Sequence, residues 1–300
     1  MKKHISSSNL EAVLEDILLV DSLPSVEVYA ATVTHKKRLS EVILRLNTVM
    51  PVPDLQHLKR INGLRILLCK ACSFRTGEDA IADLAARGFD VTSLGSVEKV
   101  SVVDRLPTTR RQFEAAKNLW PVNFHEDKLV EKALSYRAGF CEEEVGGFEK
   151  WMEMALEAAR RSTGYKMGCA IVDPKSGKVI SVAGDRRGQH PLQHSPMVAM
   201  DLVAKSQGGS GAWETDQDYY LTGNDSPDAY LCTGYDAYLT HEPCVMCSMA
   251  FVHSRIKRVF YGVGSPDGAL GTLTKLHTTP ALNHHYEVYR GLLSDECLKL

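Results

Sequence analysis

The chain has 300 residues, 44% apolar and 24% charged, with a formal net charge of −2. That composition is of a folded protein rather than a disordered or collagen-like chain, and the length allows two domains of ordinary size. No apolar run approaches the roughly 20 residues that span a bilayer. Glu11, Glu15 and Asp16 interrupt what would be the apolar stretch of a signal peptide, so the chain reads as intracellular. Eight cysteines are too sparse for a secreted disulfide scaffold, and in a reducing compartment close-spaced cysteines point to metal or catalysis.

VEVYAATV at 26–33 is β-branched and aromatic and predicts a strand. Leu39, Val42, Ile43 and Leu46 repeat at helical spacing within 36–49, behind Lys36, Lys37 and Arg38. RILLC at 65–69 predicts a strand, 77–87 a helix stopped by Gly88, 97–103 a strand, and 110–119 a helix ending before Trp120-Pro121. This alternation suggests a small α+β domain over 1–140. The stretch around CEEEVGG is the expected boundary, with a second domain over 141–300. There, an amphipathic helix over 148–162 precedes strands at 169–173 and 178–184 joined by a hairpin turn. A helix opens near His194 and runs to about 205. A Gly/Ser/Asp-rich loop covers 206–228, then come a strand at 237–241, a helix over 244–253 and a strand at 258–262. The expected architecture is three-layer α/β/α around a mixed sheet. Residues 1–140 carry a net +3 and residues 141–300 a net −5, a mild asymmetry that suits a polyanion-facing first half.

The sharpest local signal is Pro243-Cys244-Val245-Met246-Cys247 at a helix start. Cysteines three apart share a helical face, and the positive helix N-terminus favours the thiolates that bind metal. His194, 50 residues upstream and also opening a helix, completes a three-ligand set with one open position, the usual arrangement of catalytic zinc. The blander reading of a C-x-x-C is two buried cysteines. Cys69-Lys70-Ala71-Cys72 is read that way, because it lacks the proline, the helix start and a histidine.

With these residues in view, the second half resembles the deoxycytidylate/tRNA-adenosine deaminase superfamily, whose signature is H-x-E followed by P-C-x-x-C. More closely, HPLQHSPMVAMDLVA (190–204), the stretch from Tyr230 to Gly262, and GALGTLTKLHTTPALNHHYEVYRGLL (268–293) resemble the non-catalytic subunit of the eukaryotic heterodimeric tRNA wobble-adenosine deaminase. Trp120-Pro121-Val122 after a basic helix resembles it too.

The resemblance implies a cytidine-deaminase-like fold, Zn2+ on His194, Cys244 and Cys247, a catalytic deaminase subunit as partner in a heterodimer, the tRNA anticodon arm as substrate, and a cytoplasmic and nuclear location. The departure from the signature is at the glutamate: His194-Ser195 is followed by Pro196. That carboxylate takes a proton from the zinc-bound water and passes it to the leaving amine, a general acid–base contribution of about 10²–10⁴-fold. Proline can do neither, although a first-turn proline is tolerated by the helix. No catalytic residue is therefore assigned, and Glu242, which precedes Pro243 in active members as well, is not a substitute.

The remaining expectations concern the tail and the basic residues. Glu296, Cys297 and the terminal carboxylate of Leu300 are expected to fold over the zinc pocket as a cap. Lys36, Lys37, Arg38, Lys59, Arg60, Arg110 and Arg111 are the expected tRNA contacts, bound through phosphate. His35, Tyr29 and Phe74 are not assigned as stacking residues, and His284 and His285 are read as packing groups rather than ligands. Two rival functions stand beside the accessory subunit. One is a self-sufficient zinc deaminase borrowing another carboxylate, such as Glu214. The other is a structural zinc scaffold without an RNA role.

Overall fold

Apolar alternation along the strands decides which helix covers which sheet face. The computed structural model describes residues 9–162, 164–213 and 230–300. Its contacts group Asp16–Glu131 as one unit and Met1–Glu15 with Lys132–Leu300 as the other. In chain order, Glu11–Ala12 is β1, Asp16–Leu19 is α1, Ser25–Val33 is β2, Leu39–Val49 is α2, Ile61–Asn62 is β3 and Arg65–Lys70 is β4. Gly77–Ala86 is α3, Leu94–Val103 is β5, Arg110–Leu119 is α4 and Lys128–Ala133 is α5.

The unit 16–131 holds a four-stranded antiparallel sheet in the order β3-β4-β2-β5. With α2 between β2 and β3 and α3 between β4 and β5, this is the βαββαβ arrangement. One sheet face, with Tyr29, Ala31, Val33, Ile66 and Leu68, packs on Val42 and Leu46 of α2 and Ala80 and Leu84 of α3. The other, with Val28, Ala30, Leu67 and Val102, packs on Ala116 and Trp120. Thr76 and Thr109 close capping boxes at the starts of α3 and α4. Trp120 is fully buried and donates its indole N–H to the Lys59 carbonyl at 2.7 Å. The Trp-Pro-Val stretch is thus an anchor that pins the loop at 56–60 through Trp120 and the Leu58–Val122 bridge.

In the second unit, Glu142–Arg161 is α6, Gly168–Asp173 is β6, Lys178–Gly184 is β7, Ser195–Ser206 is α7 and Asp236–His241 is β8. Val245–Ser254 is α8, Arg258–Val263 is β9, Glu287–Arg290 is β10 and Ser294–Cys297 is α9. Six strands form a mixed sheet, order β1-β10-β9-β8-β6-β7, with β8, β9 and β10 parallel to one another. Ala237, Leu239, Val259 and Tyr261 face α7 and α8. Tyr238, Phe260 and Tyr289 face α6 and form a cross-strand stack, with centroids 4.9 Å apart at each step. Among the described residues, no helix is long and apolar enough to cross a membrane.

Two departures from the sequence reading have clear causes. The expected boundary segment CEEEVGG is the first two turns of α6. Glu144 accepts from the Cys141 backbone N–H at 2.9 Å, three glutamates sit on the positive helix end, and buried Val145 and Phe148 outweigh the poor propensity of Gly146-Gly147. The linear division at residue 140 also fails at the other end. Residues 9–15 belong to the second unit, where β1 pairs antiparallel with β10 and closes an edge. Leu10 and Val13 are buried on its two faces, and Val13 N–H bonds the Val288 carbonyl at 2.8 Å.

Helix α6 lies directly on backbone. A Cβ on Gly168 would stand 1.9 Å from the Ala155 carbonyl oxygen, and one on Gly184 2.7 Å from that of Ala158. At the rim of the aromatic stack, Arg258 donates from Nε to Asp236 at 2.8 Å and from Nη2 to its second oxygen, with Asp236 fully buried. Removing one partner of such a pair leaves a buried charge, at about 3–5 kcal/mol. Arg258→Met is expected to lose that much stability in urea unfolding, and Asp236→Leu/Arg258→Met to recover most of it.

Candidate metal centre

Two helix starts meet at one end of the sheet. His194 is the N-cap of α7, at the end of a loop that leaves β7, and Cys244 is the N-cap of α8, three residues beyond β8. One turn into α8, Cys247 points the same way as Cys244. The three ligand atoms lie within 4.8 Å of one another, the one such grouping among the described residues. Cys244 Sγ is 3.7 Å from His194 Nδ1. Tetrahedral zinc with bonds of about 2.3 Å to sulfur and 2.0 Å to nitrogen sets those atoms about 3.5 Å apart, so the donor set fits the ion in chemistry and spacing. The Cys247 thiol and the backbone N–H groups of Cys247 and Met246 hold the Cys244 thiol down at about 5, against the effect of burial. Cys247, which keeps the shared proton and is buried, is pushed up.

Around these three lies a cavity of about 30 Å³, also lined by Asp185, Arg187, Ser195, Pro196, His241, Glu242 and Asp267. Pro196 is buried in the first turn of α7, where its missing N–H removes no helix bond. The buried carboxylates are engaged. Asp185 is gripped by Arg187. Glu242 accepts from the backbone N–H of Leu270 at 2.8 Å, Thr272 at 3.0 Å and Ser265 at 3.3 Å, and from the Thr272 hydroxyl. It also occupies the space that a Cβ on Gly268 would need. Glu242 therefore shapes the 264–274 loop over the site and has no lone pair to spare for proton transfer. Asp267 stands exposed at the mouth. Glu214 lies outside the described residues.

The tail does not cap this cavity. Cys297 is buried against Gly262, with Leu300 on the same α6-side core, and Glu296, Lys299 and Leu300 border a separate depression with Arg160 and Lys166. The cause is apolar burial: α9 is drawn to the sheet face opposite α7 and α8 by burial of Cys297 and Leu292. His284 and His285 are used structurally, His284 donating to the Ile256 carbonyl and His285 to that of His277.

The basic residues of the unit 16–131 separate into two kinds. Lys36 and Lys37 are exposed in a single 3₁₀ turn, Lys59 is exposed, and Arg111 is 80% exposed beside Asp21. Arg38 pairs with Asp90 at 3.0 Å, and Arg110 with Glu126 at 3.5 Å. Arg60 is half-buried. Its guanidinium donates to the carbonyls of Met50 at 2.7 Å and Leu68 at 3.2 Å, and burial without a carboxylate lowers it to about 10. Its role is to brace the loop ends, a role that a sequence cannot distinguish from a phosphate contact. Tyr29 is likewise core, its hydroxyl donating to the Arg75 carbonyl, whereas His35 is exposed. Cys69 is buried and Cys72 exposed, with no bond between them.

The fold and this site define a zinc-deaminase-type domain, and the comparisons agree. The cytidine and deoxycytidylate deaminase zinc-binding region matches residues 147–263, and the N-terminal domain of tRNA-specific adenosine deaminase TAD3 matches residues 26–120. A Mus musculus protein described as "Probable inactive tRNA-specific adenosine deaminase-like protein 3" is 40% identical over 91% of this chain and 86% of its own length. The Schizosaccharomyces pombe "tRNA-specific adenosine deaminase subunit tad3" is 30% identical over 97% and 88%. A solved structure from a study of A-to-I editing by tRNA:A34 deaminases covers 50% of this chain and 97% of its own, at 26% identity and a TM-score of 0.41. The chain belongs to the TAD3 family of tRNA-specific adenosine deaminase subunits.

Three outcomes follow from these placements. Glu242→Ala strips four hydrogen bonds from one carboxylate and is expected to cost several kcal/mol in thermal unfolding, with amide exchange across 264–274 accelerated. Arg60→Ala is expected to lower stability by about 2–3 kcal/mol through its two orphaned carbonyls. Lys36→Ala/Lys37→Ala is expected to leave stability within about 0.5 kcal/mol, the two being separated by a melting scan.

Proposed function

We propose that this chain is the non-catalytic, zinc-binding subunit of a tRNA wobble adenosine-to-inosine deaminase. It holds the anticodon arm and pairs with a catalytic subunit that carries out the chemistry. The observation that carries this reading is Pro196, two residues after His194 and lining the cavity, where a deaminase needs a carboxylate. The engagement of Asp185 and Glu242 in structural bonds supports it, since neither stands in for the missing base. His194, Cys244 and Cys247 would hold zinc, and zinc held there would polarise a bound water. Without a proton acceptor beside it, this chain's contribution is structural. The ion would tie the starts of α7 and α8 together and so stabilise the unit.

Contacts to tRNA are assigned to the exposed members of the basic set, Lys36, Lys37, Lys59 and Arg111, with Arg38 and Arg110 able to exchange a surface carboxylate for phosphate. The relatives' names, as a deaminase subunit and as inactive deaminase-like proteins, support a partner that supplies the active site. The self-sufficient reading would need Asp267 at the cavity mouth to act as the base.

The deciding assay is conversion of adenosine to inosine in an anticodon-stem tRNA by this chain, by the catalytic subunit, and by the two co-expressed. Product only from the pair supports the accessory role, and product from this chain alone overturns it. Metal analysis is expected to return one zinc per chain. Cys247→Ser or exhaustive chelation is expected to abolish it and to lower the melting temperature.

A further inference from the structure

We propose that Arg187 closes the pocket beside His194, Cys244 and Cys247 to anything larger than a water-sized ligand. It is a second barrier to a nucleobase, independent of the missing glutamate. The inference rests on the reading that this pocket is a metal site, and it adds what can reach that site.

The cavity of about 30 Å³ gives room for about one water, whereas sites that take small molecules offer roughly 300 Å³ or more. Arg187 lines it and is fixed from three sides. Its Nε lies 3.0 and 2.9 Å from the two oxygens of Asp185, whose side chain is 1% exposed. One Nη lies 3.0 Å from the Met167 sulfur. The guanidinium carbon stands 3.7 Å from the Tyr165 ring centroid, so the aromatic face covers the cation. The same Asp185 carboxylate also accepts from the Arg187 backbone N–H at 3.1 Å, which locks the turn and the side chain together. The Arg186 N–H to Gln193 carbonyl bond, 2.9 Å, closes the loop that runs from Arg187 to His194. Swinging the guanidinium out would strand a buried carboxylate, and this holds the pocket shut. Restoring the carboxylate with Pro196→Glu would therefore rebuild a base in a pocket that no nucleobase enters.

Wild type, Pro196→Glu, Arg187→Ala, Pro196→Glu/Arg187→Ala and Tyr165→Ala are to be compared with two probes. One is 2-aminopurine, a purine whose fluorescence reports entry and needs no metal. The other is azide added to the cobalt-substituted protein, whose visible spectrum reports a new ligand on the ion. Wild type and Pro196→Glu are expected to respond to neither. Arg187→Ala and the double variant are expected to show saturable changes with both, and Tyr165→Ala a smaller one. A response from the wild type overturns the proposal, as does a folded Arg187→Ala as silent as the wild type. If Arg187→Ala does not fold, Tyr165→Ala, at a position 57% exposed, decides in the same way. If Arg187 only supports the thiolates, the variant would lose cobalt more readily without admitting either probe, which also overturns it. Failure of the wild type to take up cobalt would refute the metal reading, while the 2-aminopurine arm still decides closure.

Discussion

Everything at the site depends on two helix N-termini being delivered to one point. β8 runs parallel to β9 and antiparallel to β6, so α8 starts at the end of the sheet where β7 releases the loop to α7. His194 and Cys244 then occupy N-cap positions, where the backbone is extended and the side chain is not committed to helix packing. The helix N-terminus favours thiolate at Cys244, the protonation state that a metal ligand needs. This arrangement does not need the glutamate. A domain can keep its zinc-type geometry, and the stability that comes with it, after its acid–base chemistry has gone.

What holds the helix ends in place is the opposite face of the sheet. Gly168 and Gly184 let α6 rest on β6 and β7 with its carbonyls against the strand backbone, and Tyr238, Phe260 and Tyr289 stack beneath Phe148. Residues 9–15 finish this sheet by pairing with β10. The N-terminal segment therefore contributes to the stability of the second unit although 116 residues of another unit, 16–131, intervene.

The proposed non-catalytic role of the pocket rests on more than one physical feature. Pro196 removes a proton acceptor, Glu242 is committed to the 264–274 loop, and Arg187 with Asp185 fills space. Each residue satisfies a structural demand, so the pocket is a well-packed interior rather than a damaged active site.

The sequence by itself determined the local elements and the chemistry of the ligand set. The longer strands and helices among the described residues of 25–119 and 169–262 were legible because period-2 and period-3.6 patterns are short-range properties. Pro-Cys-x-x-Cys after a strand, with a histidine at another helix start, has few physical uses. The identity of residue 196 was equally plain. Tertiary structure alone decided the rest. The two residues of β1 carry no periodicity, and only the open edge of β10 gives them a place. The helical fate of CEEEVGG depended on buried Val145 and Phe148. Arg60 braces the loop ends because carbonyls from Met50 and Leu68 converge on it. The tail went to the α6 face because Cys297 finds its burial there. Arg187 acquired a role only once Asp185, Met167 and Tyr165 surrounded it. Patterns along the chain specify which groups are available, and partners brought together through space specify what each group does.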